Sequence, residues 1–255
     1  MHLDSKDSNG ESPLCSALQM GRFSIAQLLL RGRASVNANG PVEGLRLLHH
    51  FLLRGDEKAV LFLLDNGADV HCPTPSGESP LVLSIQRQLP SVLEALCRRG
   101  ANMEEAPGDS CPLWLALQSG NEDLASTLVR YGVDTDHWEQ GPDGGSQTLL
   151  HRALDGSDEN SACFLVRSGC DVNSPRRPST DGSDDDRSSP LHLCATWGLQ
   201  RVAATLLEHG AEINPRDSDG KTPLHLAIEQ HQAEMVKLLL RQPGLDLYAT
   251  DKSQK

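Results

Sequence analysis

The chain has 255 residues, of which 38% are hydrophobic and only 4% aromatic; 35 acidic against 23 basic residues leave a net charge of −12. That balance argues against nucleic acid and against an anionic membrane as direct partners, because both need Lys/Arg surfaces. With so few aromatics, the core has to be assembled from Leu, Ala, Val and Ile.

The first element opens at Ser12-Pro13-Leu14, and the same block returns along the chain. Its leucines are Leu14, Leu48, Leu81, Leu113, Leu150, Leu191 and Leu224, at spacings of 34, 33, 32, 37, 41 and 33. The clearest copies are Ser189-Pro190-Leu191-His192 and Thr222-Pro223-Leu224-His225, the latter followed by Ala227. Each block predicts a short first helix. Ser or Thr caps it, and Pro at the first helical position forfeits no hydrogen bond. A second landmark, such as Leu63-Leu64 or Leu206-Leu207, predicts the buried stripe of a second helix. A third, as in Gly169-Cys170-Asp171-Val172-Asn173, ends that helix through a left-handed Gly and starts a projecting finger. One such unit cannot bury its apolar face alone, so neighbouring units must stack. The units span about 7–39, 40–73, 74–106, 107–139, 143–175, 184–216 and 217–250 in a single array over 1–255.

Departures from the pattern carry their own expectations. Arg33 stands where the helix-ending Gly belongs, and neighbouring Gly32 is expected to take that role. Gln88 replaces the Gly between two helices, Pro90 is expected to start a second helix, and Leu149 replaces the Pro of the block. Between Thr135 and Gln147 the Gly-Pro-Asp-Gly-Gly run predicts a flexible, extended finger. Residues 174–188 form an acidic, Ser/Pro-rich insert whose only apolar residues are prolines, so a loosely ordered loop is expected. Ala249-Thr250-Asp251-Lys252 reads as the start of a further finger, and neither end reads as a polar cap. A fragment of a longer array is the expectation.

Catalytic chemistry finds no support. Gly-x-Ser-x-Gly, HExxH and phosphate-loop patterns are missing from the sequence, so no enzyme, cofactor or metal is expected. His49, His151, His192 and His225 recur at one repeat position and therefore lie about a repeat apart. Hydrogen bonding between neighbouring turns suits them better than shared metal ligation. Asp184-Asp185-Asp186 lacks the spacing and Gly of a calcium loop and reads as a solvated charge run. Ser179, Thr180 and Ser183 in the same insert are candidate phosphorylation acceptors. The seven cysteines include no CxxC pair, and no run reaches the roughly 18 apolar residues of a membrane span. Reduced thiols in a cytoplasmic chain are expected.

Thr222-Pro223-Leu224-His225-Leu226-Ala227 resembles the ankyrin repeat, and the resemblance extends over essentially the whole chain. It implies an all-α solenoid of about seven stacked helix-turn-helix repeats with hairpin-like fingers. The less regular segments, Cys111 to Leu117, Gln147 to Ala153 and Cys163 to Arg176, are similar to the central array of endosomal proteins that place a BTB domain before their repeats and a FYVE domain after them. That similarity implies an early-endosomal Rab effector in endocytosis, macropinocytosis and trafficking. Its partners would be a Rab GTPase or endosomal sorting and adaptor proteins, and its place peripheral on early endosomes. The FYVE zinc cysteines are missing, so lipid and metal binding do not carry over. The alternative is an ankyrin adaptor or inhibitor that positions a kinase or ubiquitin ligase.

In this family partners are recognised through the concave face, built from finger tips and first-helix ends. The corresponding residues here include Met20, Leu53, Arg54, Gln86, Arg87, Gln118, Thr196, Trp197 and Gln230, with Trp138 on the long finger. Trp197 is the leading anchor, since Trp and Arg dominate interface hot spots. Arg54 and Arg87 favour an acidic segment over the second and third repeats. Trp114 replaces the block's His and is expected to be structural.

Overall fold

A computed structural model describes residues 4–104, 111–141, 146–177 and 187–253. It falls into two compact units, Met1–Val133 and Asp134–Lys255. The first holds helices α1 (Pro13–Gln19), α2 (Phe23–Arg31), α3 (Leu47–Arg54), α4 (Glu57–Asp65), α5 (Pro80–Gln86), α6 (Pro90–Arg98), α7 (Pro112–Gln118) and α8 (Glu122–Arg130). The second opens with a hairpin of β1 (Trp138–Gln140) and β2 (Ser146–Thr148). It continues with α9 (Leu149–Asp155), α10 (Glu159–Arg167), α11 (Pro190–Trp197), α12 (Gln200–Glu208), α13 (Pro223–Glu229) and α14 (Ala233–Leu240).

Helices of seven to nine residues are too short to persist alone. They hold because each packs on its own partner and, within a unit, most pack on a counterpart in the neighbouring repeat. In the first unit α3 packs on α5 and α5 on α7, while α4, α6 and α8 form the second layer. In the second unit α9, α11 and α13 form one layer and α10, α12 and α14 the other. The core is the aliphatic one that the composition requires. Leu63, Leu96, Leu128, Leu165, Leu206 and Leu239, all from the second-helix landmark, are fully buried. So are Ala116, Ala153 and Ala227 on the first helices, where a small side chain lets paired helices approach.

Capping follows the block. Ser79 Oγ accepts from the Val82 N–H at 3.3 Å, and Asp56 and Asp158 cap α4 and α10 in the same way. At α11 and α13 the cap is reciprocal, because the Nδ1 of His192 and of His225 accepts from the N–H of Ser189 and of Thr222, each at 3.1 Å. An Nδ1 that accepts leaves the proton on Nε2. That Nε2 then donates across to the turn leading into the following repeat: His49 to the Cys72 carbonyl at 2.7 Å, and His192 to the Lys221 carbonyl at 2.9 Å. At His49 and His192 the recurring histidine is thus a hydrogen-bonded bridge between turns, as its spacing implied, whereas His151 Nε2 is buried without such a partner among the described residues. Asparagines at the finger form a parallel ladder, with Asn37, Asn173 and Asn214 accepting from the N–H of Asp69, Glu212 and Asp246.

Trp114 is buried and structural, and Pro90 does start a second helix. Arg33, however, takes the left-handed conformation itself (φ 74°), while Gly32 stays at φ −76°. The turn needs that conformation at one fixed register, so the residue standing there adopts it whatever its side chain. The Thr135–Gln147 finger is a paired hairpin over its described part, with Trp138 opposite Thr148. In the insert, 174–177 and 187–188 are ordered by contacts: the Arg176 N–H donates to the Ser188 carbonyl at 3.2 Å, and Arg177 pairs with Ser146. Ser179, Thr180, Ser183 and Asp184 to Asp186 lie outside the described residues. All seven cysteines are free and buried. Burial pushes the Cys15 and Cys97 thiols to about 11 and Cys170 to about 12, which keeps them protonated at neutral pH.

Two outcomes are expected. Arg33→Gly removes the cost of a left-handed non-glycine and should raise the unfolding free energy by about 0.5–1 kcal/mol in urea titrations. His151 is held neutral by burial and by the nearby Arg176 charge, which lower its pKa from 6.5 to about 4. The unfolded chain takes up that proton first, so stability is full above pH 6.5 and falls as pH drops towards 4. His151 alone accounts for on the order of 3 kcal/mol, measurable by chemical denaturation across that range. His49, lowered chiefly by burial, adds a loss of the same sign.

Candidate protein-interaction face

The final residues of the first helices and the fingers beside them make up the candidate face. Three repeats tie these parts together in one way. A finger side chain reaches the helix residue eight positions on: Gln19 donates to Glu11 at 3.0 Å, Gln86 to Glu78 at 3.1 Å, and Lys221 to Glu229 at 2.8 Å. The face is therefore preorganised, so little ordering entropy would be lost when a partner docks.

In the first unit, Met20 is 66% exposed beyond α1, Arg54 and Arg87 are exposed at the ends of α3 and α5, Gln86 and Gln118 are exposed, and Leu53 is half-buried. The end of α1 meets α3, since Gln19 Nε2 lies 3.4 Å from His50 Nε2. The Arg54 charge also reaches this spot: after burial, it is the next cause lowering the pKa of His50. Met20, Leu53 and Arg54 consequently lie on neighbouring first-helix ends.

In the second unit, Trp197 closes α11 with 54% of its surface exposed, Thr196 is half-buried and donates to the His192 carbonyl at 3.0 Å, and Gln230 is exposed beyond α13. Trp138, the candidate on the long finger, is half-buried and engaged within the molecule. Its ring lies under the Arg177 guanidinium, 3.9 Å from centroid to carbon, and 6.5 Å from the His151 ring. Beside it, Arg152 donates to both Glu139 oxygens at 3.1 and 2.9 Å.

One apolar region escaped the sequence reading. Ile228 is 57% exposed and helps line a cavity of about 340 Å3 with Leu224, Leu247, Ala249 and Asp246. The equivalent Leu52, Ile85 and Leu154 are buried. No sequence signal separates Ile228 from them, because its exposure reflects what stacks on it. Among the described residues no group of three or more His, Cys, Asp or Glu could hold a metal ion, and no helix is long and apolar enough to cross a membrane.

A family model described as ankyrin repeats in three copies matches residues 177–251, and a single ankyrin-repeat model matches residues 9–40. The chain carries ankyrin repeats. It is 48% identical over 128 residues to Rabankyrin-5 of Mus musculus, covering 49% of this chain and 11% of that protein. It is 46% identical over 125 residues to Rabankyrin-5 of Homo sapiens, covering 48% of this chain and 11% of that protein. The match thus takes in about a tenth of those relatives. The crystal structure of the Bcl-3 ankyrin repeat domain superposes with a TM-score of 0.68 at 20% identity, covering 91% of this chain and 99% of that one; this likeness concerns the fold.

Trp197→Ala removes a half-exposed ring and should cost about 1–2 kcal/mol, whereas Phe51→Ala, in the core, should cost about 3–5 kcal/mol. Thermal and urea unfolding of the two variants checks the contrast.

Proposed function

We propose that the seven repeats form one non-catalytic protein-interaction array and that the chain works as part of an early-endosomal Rab effector in endocytosis, macropinocytosis and endosomal trafficking. The endosomal half of this reading is carried by the 48% identity to Rabankyrin-5 over about half of the chain. Its interaction half is carried by the exposed, preorganised first-helix ends, where Met20, Arg54, Arg87, Gln118, Trp197 and Gln230 face solvent. Partners are proteins, either an early-endosomal Rab GTPase or endosomal sorting and adaptor proteins. The chain itself contacts neither nucleic acid nor lipid, and it sits in the cytoplasm, recruited to early endosomes.

Arg54 and Arg87 put two cations on the first unit's face in a molecule of net charge −12. An acidic partner segment suits that stretch, with Met20 and Leu53 supplying apolar contact. Association there gains speed and orientation from charge, so it weakens as salt rises. Trp197 anchors a second contact on α11.

Affinity capture from cytosol with the chain against its Arg54→Ala/Trp197→Ala variant tests the reading. Loss of two hot-spot side chains should lower recovery of early-endosomal proteins by about tenfold or more while the helical circular dichroism is retained. Equal recovery with the fold intact would rule out this face. Recovery of a kinase or ubiquitin ligase in place of endosomal proteins would favour the adaptor reading.

A further inference from the structure

The fifth repeat treats its recognition position unlike the first, third and seventh. In the first, third and seventh repeats, the first-helix end residue bonds to its own finger, as Gln19 does to Glu11, Gln86 to Glu78 and Glu229 to Lys221. The fifth repeat places Asp155 there, and Asp155 pairs with Arg176, which comes from the insert 21 residues further on. The next residue, Arg177, stacks its guanidinium over the Trp138 ring at 3.9 Å. Its backbone exchanges two hydrogen bonds with Ser146, at 3.2 and 3.3 Å, and so adds a third strand position to the hairpin. Arg176 closes the base of the insert by donating its N–H to the Ser188 carbonyl at 3.2 Å. Two consecutive arginines therefore fill two acceptors, a carboxylate and an indole face, on the repeat's own partner-facing edge.

These acceptors are what a protein interface uses to take arginine. A carboxylate binds the guanidinium through charge-assisted hydrogen bonds, an indole binds it through its π-face, and an open strand edge takes the backbone. We infer that Asp155, Trp138 and the Ser146 edge form a binding site for a paired-arginine protein segment, which the chain's own Arg176-Arg177 occupies as an internal ligand. The strap masks the fifth repeat until a basic partner segment displaces it. The inference rests on the reading of first-helix ends as partner-facing, but its test uses no endosomal partner, so the two can fail separately.

The internal ligand competes at the effective concentration of a short tether, in the millimolar range, and this sets the experiment. The full chain, its Arg176→Ala/Arg177→Ala variant, and that variant with Asp155→Ala added are each titrated with a peptide reproducing residues 173–178, and the Trp138 indole N–H, kept in all three, is followed by NMR. The wild type should reach half-saturation only in the millimolar range, near the tether's effective concentration, the double variant should do so at roughly a tenth of that peptide concentration or less, and the triple variant should lose binding. A double variant that melts like the wild type yet shows no saturable shift overturns the proposal, as does a wild type that binds as tightly as the variant. Arg177→Lys serves if the double variant fails to fold, since it keeps the charge and the backbone pairing but loses the flat stack. Hydrogen exchange at the Ser146 and Arg177 amides should then quicken by about tenfold or more, and unchanged exchange refutes the strap.

Discussion

The stacking of short helices is the constraint on which this molecule depends, and in the second and sixth repeats one side chain serves it twice over, the histidine three residues after the cap of the first helix. Its two ring nitrogens do different work. Nδ1 accepts from the cap and defines where the helix starts, and this forces the proton onto Nε2. Nε2 then reaches the carbonyl of the turn leading into the following repeat, as from His49 to Cys72 and from His192 to Lys221. Local helix geometry and inter-repeat spacing are thereby set by the same imidazole. It can do both only while neutral, because a charged ring would present a second N–H to the donor at the cap. Burial keeps it neutral at His151 and His49.

With stacking assigned to buried leucines, alanines and this imidazole, the ends of the first helices are released from structural duty. Their residues vary from repeat to repeat: Gln19, Leu53, Gln86, Gln118, Asp155, Thr196 and Glu229. Bonds from the fingers hold several of them in fixed positions. A rigid scaffold carrying a variable, ordered surface is the physical basis of a binding module.

The sequence was most legible where the chemistry repeats. The caps, the buried stripe of each second helix, the role of the histidines and the burial of Trp114 all follow from residue type at a fixed spacing. It was least legible where distant segments meet. Arg33 shows that register outranks residue preference, since the turn demands a left-handed conformation at that position and the arginine accepts it. The insert has the composition of a loop that adds nothing to a core, yet its first residues are held, because ion pairing, cation–π stacking and strand pairing need no apolar side chain. Trp138 read as a candidate contact on the long finger, and Arg177, 39 positions away, decides that the ring is engaged within the molecule.

By itself, then, the sequence determined the class of fold, the period, the helix starts and the aliphatic core. Each of these follows from interactions among residues within one repeat, whose spacing can be read directly. Only the tertiary structure decided which of several equivalent side chains are exposed. Ile228 stands free where Leu52 and Ile85 are buried, and Asp155 is paired with a segment from beyond its own helix pair. Exposure depends on what packs against a position, and in a repeat array that neighbour comes from another turn of the chain.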